Sequence, residues 1–372
     1  MTACLFGTYD SAHSANRLLR RALVGAGFTV EELHAPLWQE TPSKGRRYFG
    51  VASLTGLAGR WAAATRRLAA AWRRRQGPPP LVVIGFGGQL DALIASRVCR
   101  PRAGLVLAPL VSLSETLVED RGVFPAGGAR ARLIAALDRA AFRAADLTLA
   151  DTAAHASYLR DLGAPAQRVV VWHFGVEPEF VPPAPGHAVP RRVLFYGRHL
   201  PLHGVHTIVE AAARLGERAD VVLLGSGPER PRMEALASRL RARITWRDDV
   251  PLAALPGELA AASVVLGVFG TGLKAAMVVP NKVYQAAAAG RPLVTRDAPA
   301  LREVLEPGRH CLVCPPGDPD ALAGAVTQLL DDPALAARLG AAARAHVLSR
   351  FGEAQVAERL ADLLASTLGR AA

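Results

Sequence analysis

The chain has 372 residues, 51% of them hydrophobic and 20% charged, which suits a globular protein of two domains. Its net charge of +12 and pI near 10.5 would fit nucleic acid or anionic lipid. However, only three of the 44 basic residues are Lys, the excess of Ala, Gly, Pro and Arg suits a GC-rich genome, and no aromatic–basic interleaving of a nucleic-acid module is present. No run approaches the roughly eighteen apolar residues of a membrane span.

MTACLFGTYD reads as a first strand rather than a secretory leader, so a cytoplasmic protein is expected. Ala3–Phe6 forms that strand and Gly7-Thr8-Tyr9-Asp10 a polar turn. A helix over Asn16–Ala26 stops at Gly27, and Phe28–Leu33 is the second strand. An arginine-rich helix then runs from Gly50 to Arg75 and ends at Gly77-Pro78-Pro79-Pro80. Trp61, Thr65, Leu68 and Trp72 share one side of it, among Arg60, Arg66, Arg67, Arg73, Arg74 and Arg75. Tryptophans beside cations fit a helix lying on an anionic membrane through residues 59–75; the alternative is a surface helix whose tryptophans pack on the sheet.

Leu81–Ile84 is an apolar strand followed by G-F-G-G, but Leu90 holds the third glycine position of a dinucleotide fingerprint and the next strand, Leu105–Ala108, ends in Pro109. A nicotinamide cofactor is therefore not expected. Ser112–Phe124 is a polar loop, and Leu133–Ala144 (helix), Leu147–Ala150 (strand), Ala153–Leu162 (helix) and Val169–Trp172 (strand) follow. Five prolines between 177 and 190 predict an interdomain linker. Alternating strands and amphipathic helices on both sides predict an α/β chain of two doubly wound parallel sheets, at 1–176 and 191–350, with a last helix at 351–372 crossing back to the first domain.

In the second half, Arg191–Tyr196, Val221–Leu224 and Ile244–Trp246 read as strands. Asp248-Asp249 and Asp318-Pro319-Asp320 do not end strands as a metal-binding acid pair does, and Asp318 fits a helix cap, so no metal is expected. Cys311-x-x-Cys314, with Cys4 and Cys99, lacks the second pair a zinc site needs; ordinary buried thiols are expected. The stretch Val264–Thr295 reads as a strand, a glycine-bearing loop, a helix over Lys282–Ala289 stopped by Gly290, and another strand from Pro292. Lys274 and Lys282 stand beside this candidate anion site in a chain that otherwise uses Arg; the alternative is an ordinary helix start with solvated lysines.

This stretch, FGTGLKA followed by PNKVYQ and GRPLVT, resembles the donor-sugar signature of retaining glycosyltransferases of family 4, which have the GT-B fold of two Rossmann-like domains facing across a cleft. The resemblance is strong over Arg191–Val313 and partial before it. It implies a nucleotide-diphosphate sugar as co-substrate, no other cofactor, and transfer with retention to a polysaccharide, lipid-linked or natural-product acceptor. The same fold also hosts two alternatives, a sugar-nucleotide epimerase and a donor-binding protein without catalysis. The family's two acids fall on Met277 and Gln285, so both are missing here, and Gln285 would accept from a single ribose hydroxyl.

Arg198 matches the family's diphosphate arginine, while the lysine before Gly204 is replaced by His203. Arg198 and Lys282 are implied to stabilise the leaving diphosphate. Lys274, Asn281 and Gln285 are implied on the donor side as well, with Gly225 and Gly227 bringing backbone close to the nucleotide. On the acceptor side, GTYDSAH replaces the family's glycine-rich first loop, and the hydroxyls of Thr8 and Tyr9 are candidates there, against an ordinary turn. Ser112-Leu113 to Asp120-Arg121 resembles the same branch, which makes Glu115, Asp120 and Arg121 acceptor-side candidates, against a capping and ion-pair role.

Overall fold

Short apolar runs such as Leu81–Ile84 and Leu147–Ala150 become strands buried on both faces, as parallel sheets covered by helices require. The computed structural model describes residues 1–37, 51–75, 77, 79, 81–100, 103–182 and 187–368. Gly50, Pro78, Pro80 and residues 183–186, which figure in the expected helix and linker, lie outside them. The chain divides into two units, Met1–Phe174 with Glu353–Ala372, and Gly175–Gly352.

The first unit runs β1 (Thr2–Gly7), α1 (Ser14–Gly25), β2 (Thr29–His34), α2 (Val51–Arg73), β3 (Leu81–Ile84), α3 (Gln89–Val98), β4 (Gly104–Leu107), α4 (Ala129–Ala144), β5 (Leu147–Ala150), α5 (Ala153–Asp161) and β6 (Val169–Val171). Its strands pair in parallel in the order β2-β1-β3-β4-β5-β6. Successive side chains point to opposite faces. Cys4, Phe6, Val82 and Ile84 therefore pack with Leu68 and Trp72 of α2, whereas Leu5 and Val83 pack with Leu19 and Leu23 of α1. The last helix, α14 (Glu353–Leu368), returns to this unit. Its Val356, Leu360 and Leu364 join the α1 face, and Trp172 Nε1 donates to the Val356 carbonyl at 3.1 Å.

The second unit runs β7 (Arg192–Tyr196), α6 (Val205–Leu215), β8 (Asp220–Leu224), α7 (Arg230–Leu240), β9 (Ile244–Arg247), α8 (Leu255–Ala260), β10 (Val264–Leu266), α9 (Leu273–Met277), α10 (Asn281–Ala288), β11 (Leu293–Arg296), α11 (Pro299–Arg302), β12 (Leu312–Cys314), α12 (Pro319–Asp331) and α13 (Pro333–Phe351). Its parallel sheet has the order β12-β11-β10-β7-β8-β9. The chain leaves β7 for β8 on one side and returns to β10 on the other, which makes the carboxyl ends of β7 and β10 the switch point of this sheet.

Three expectations change. The predicted linker begins inside the second unit: Phe180 is fully buried in its core with Val176, and Val176 N donates to the Phe351 carbonyl at 2.9 Å. The polar loop after β4 carries a turn of π-helix at Glu115–Asp120. The apolar side of α2 faces the sheet, with Leu68 and Trp72 buried and Trp61 packed against the same core. That is the packing alternative for the described part of the helix. Among the described residues no helix is long and apolar enough to cross a membrane.

Candidate functional site

Two loops meet at the switch point of the second sheet. After β7 the chain passes Gly197, whose φ is 126°, and a 3₁₀ turn at Pro201–His203 before α6. After β10 it passes Gly267 to Gly270. Phe269 N donates to the His203 carbonyl at 3.0 Å and Gly270 N to the Leu202 carbonyl at 3.2 Å, zipping the loops together. Gly204 sits at the crossing with φ 61°, and a Cβ there would stand 2.4 Å from the Phe269 carbonyl carbon. Only glycine suits both the left-handed backbone and the contact. Thr295 and Arg296, at the end of β11, brace the second loop: Val268 N donates to Thr295 Oγ1 at 3.2 Å, and Arg296 Nη1 donates to the Gly270 carbonyl. Neither α6 nor α10 has a side-chain cap at its N-terminus, and such a helix start favours anions.

Lys282, in the first turn of α10, reaches this place. Its side chain is 6% exposed, and Nζ has no hydrogen-bond partner. Nζ lies 3.9 Å from the Phe195 ring centroid and 5.8 Å from that of Tyr196. A ring face is worth about 0.5–2 kcal/mol to a cation, against an effective cost of several kcal/mol for burying an unpaired ion. Burial therefore wins, and it holds the amine well below the usual lysine range. A Cβ on Gly197 would lie 3.3 Å from Nζ and 3.9 Å from His203 Cε1, which places these two basic groups on one spot.

His203 Nδ1 donates to the Arg198 carbonyl. In a neutral ring that leaves Nε2 as an acceptor, so the neutral imidazole has no N–H for a phosphate. Burial above all pushes its pKa well below the ordinary value. His199, which the sequence reading overlooked, is fully buried against Phe195 and Trp246, and neither ring nitrogen has a partner. Burial, followed by the charge of Arg230, lowers it to about 4. Arg198 is exposed beside them, Asn281 half-buried, and Lys274 buried in α9.

Gln285 does not offer a free amide to a ribose. Its Oε1 accepts from Tyr196 OH at 2.8 Å, and its Nε2 donates to Glu177 Oε2 at 2.6 Å. Glu177, another residue the sequence reading missed, is 1% exposed. Met277 is buried in the apolar interior. Gly225 and Gly227 have a reason for being glycine within the protein. A Cβ on Gly225 would come to 2.1 Å from the Gly197 carbonyl oxygen and one on Gly227 to 2.5 Å from His199 N, so their loop crosses directly over the first. Asp248 accepts from Arg230 Nη1 at 2.5 Å and Asp249 from Ser226 Oγ. Among the described residues no group of three His, Cys, Asp or Glu could hold a metal ion.

The acceptor-side candidates are mostly committed within the first unit. Thr8 is buried, and its N and Oγ1 both donate to Asp91 Oδ2, at 2.7 and 3.0 Å. Burial raises that carboxyl to about 6 against the pull of these bonds. Tyr9 OH donates to Glu32 Oε2 at 2.8 Å. Both hydroxyls are thus hydrogen-bonded within the first unit. Glu115 is fully buried, accepts from Ser112 N at 3.2 Å and stands 3.7 Å from His155 Nε2, whose Nδ1 is 2.6 Å from Asp151. Asp120 and Arg121 are half-buried at the end of the π-helical turn. The four cysteines are free and buried, and Cys311 and Cys314 pack into different core clusters of the second unit.

Residues 190–332 match a family model described as glycosyl transferases group 1. The chain is 30% identical over 183 residues to alpha-D-kanosaminyltransferase of Streptomyces kanamyceticus, covering 46% of this chain and 44% of the relative. It is 28% identical over 313 residues to the 2-deoxystreptamine glucosyltransferase of the same organism, covering 76% of each. The chain thus spans about half the length of the first of these curated relatives. Among solved structures, Anabaena HepE in complex with UDP-glucose superposes with a TM-score of 0.71 at 16% identity, over 98% of this chain and 100% of that one. The chain thus has two six-stranded parallel sheets on the GT-B fold, and its residues 190–332 are similar in sequence to the group 1 glycosyl transferases.

Proposed function

We propose that the chain transfers a glycosyl group from a nucleoside-diphosphate sugar, with its diphosphate received where β7 and β10 end. The observation that carries this reading is Lys282: a buried, unpartnered amine at the start of α10, on the switch point of the sheet. Such a group is costly in isolation and becomes favourable beside an anion. The UDP-glucose bound by HepE and the glycosyltransferase names of the relatives support a sugar nucleotide as the donor.

In this reading the bond between the sugar's anomeric carbon and the β-phosphate oxygen breaks. The exposed Arg198, Lys282 and the amide groups opening α6 take up the negative charge of the departing diphosphate. The acceptor hydroxyl attacks the same face, giving retention, and its proton passes to the leaving diphosphate. The acceptor class is a sugar chain, a lipid-linked sugar or a small natural product, and no metal takes part. Met277 and Gln285 in place of the family's two acids favour a second reading, donor binding without turnover. A thermal-shift screen with UDP, GDP, ADP and TDP tests the donor site, since a bound ligand stabilises by mass action. One of the four should raise the unfolding temperature, and no shift with any of them would refute the site. Turnover of the corresponding donor sugar with and without added acceptors then separates transfer from binding alone.

A further inference from the structure

Arg198 is exposed and Lys274 lies in α9, so the charge at the switch point itself depends on the state of Lys282. Lys282 Nζ is buried without a partner, and His203 has already used its neutral-state donor on the Arg198 carbonyl. We propose that Lys282 is an uncharged amine in the free protein and takes a proton from solvent as it receives the diphosphate of the donor, so that donor and proton bind together. This rests on the donor reading above and goes beyond it, because it assigns the charge state of the receptor.

The surroundings of Nζ support the proposal from every side. From β7 and the loop after it come the rings of Phe195 and Tyr196, with His199, His203 and the exposed Arg198. Lys274 of α9 adds a further positive charge, felt at His203, and Arg230 of α7 another, felt at His199. The carboxylates whose charge reaches His199 or Tyr196 are already engaged: Asp249 with Ser226, Glu234 with Arg230, and Glu177 with Gln285, which lies one turn along α10 from Lys282. Among the described residues none pairs with Lys282. A full charge on Nζ would therefore stand among basic neighbours with no counter-ion until an anion arrives. Once a diphosphate is there, its oxygens supply both the counter-charge and the hydrogen-bond acceptors, and the ammonium becomes the stable form.

The chain suits a direct test because Lys44, Lys274 and Lys282 are its only lysines. With ¹³C-labelled lysine the full chain gives three side-chain Cε signals, assigned with Lys44→Arg and Lys274→Arg variants. At about pH 8, where a terminal phosphate is already fully ionised, the Lys282 signal should lie at the neutral-amine position. It should move to the ammonium position on addition of UDP or inorganic pyrophosphate. In parallel, calorimetric titration of UDP in Tris and in HEPES should report uptake of about one proton, and Kd should rise about tenfold per pH unit above that pH. A Lys282 signal at the ammonium position in the free protein, or binding without proton uptake, overturns this proposal and leaves the donor reading standing. Absence of binding by UDP, GDP, ADP, TDP and pyrophosphate alike overturns the donor reading, and this proposal with it.

Discussion

Gln285→Glu would place at this position the acid that the sequence resemblance implies, yet the structure leads us to expect a pH-dependent loss of stability. In the native protein the Gln285 amide donates to Glu177 Oε2 at 2.6 Å while its oxygen accepts from Tyr196. A carboxylate at this position keeps the second bond and turns the first into an approach of two anions. With the charge centres about 4 Å apart and an effective dielectric near 20, their repulsion is about 4 kcal/mol. One shared proton removes it, because the introduced carboxyl, once protonated, donates to Glu177 as the amide does. A carboxyl that binds its proton more tightly folded than unfolded contributes stability at low pH and loses it as pH rises through the folded value. The variant should therefore match the parent at about pH 4, below the unfolded Glu value, and fall short of it by roughly 2–4 kcal/mol at about pH 8. Urea unfolding of both proteins at the two pH values measures this. A penalty that is the same at both, or none at either, would refute the Tyr196–Gln285–Glu177 chain.

His199→Phe should flatten a second pH dependence. The native imidazole is lowered to about 4 by burial, so between that value and its ordinary 6.5 the unfolded chain binds the proton and the folded one does not. Parent stability should fall by up to about 3 kcal/mol as pH drops through that window, and the Phe variant should lack this slope. Burial holds the thiols of Cys4, Cys99, Cys311 and Cys314 at about 11 to 12. All four should stay unreactive toward an aromatic disulfide reagent at about pH 8 until the protein is unfolded; rapid labelling of Cys311 or Cys314 in the native protein would contradict the core packing of β12.

The strands were legible because burial on both faces leaves a simple trace. Leu81–Ile84 and Leu147–Ala150 are legible from their apolar runs, and the last helix, expected within 351–372, spans Glu353–Leu368. The short helix α9 and the π-helical turn at Glu115 were missed, because five or six residues carry too little periodicity to separate from loop. At the site, Lys282 was found through a compositional oddity, a lysine in an arginine-rich chain. His199 and Glu177 were not, since their roles come from loop crossing and from a partner on a distant segment rather than from local spacing. Gly225 and Gly227 showed a need for close approach, but the thing approached proved to be the loop at Gly197–His199. The partners of Thr8 and Tyr9 were not legible either: a hydroxyl in a turn gives no sign that a buried Asp91 or an exposed Glu32 will bond it.

The most direct measurement is a crystal structure of the full chain with whichever nucleoside diphosphate raises its unfolding temperature. The diphosphate should lie at the carboxyl ends of β7 and β10, its oxygens within about 3 Å of Lys282 Nζ and of the amide groups that open α6. A nucleotide bound elsewhere in the second unit, with Lys282 still unpartnered against Phe195, would contradict the donor site proposed for this chain.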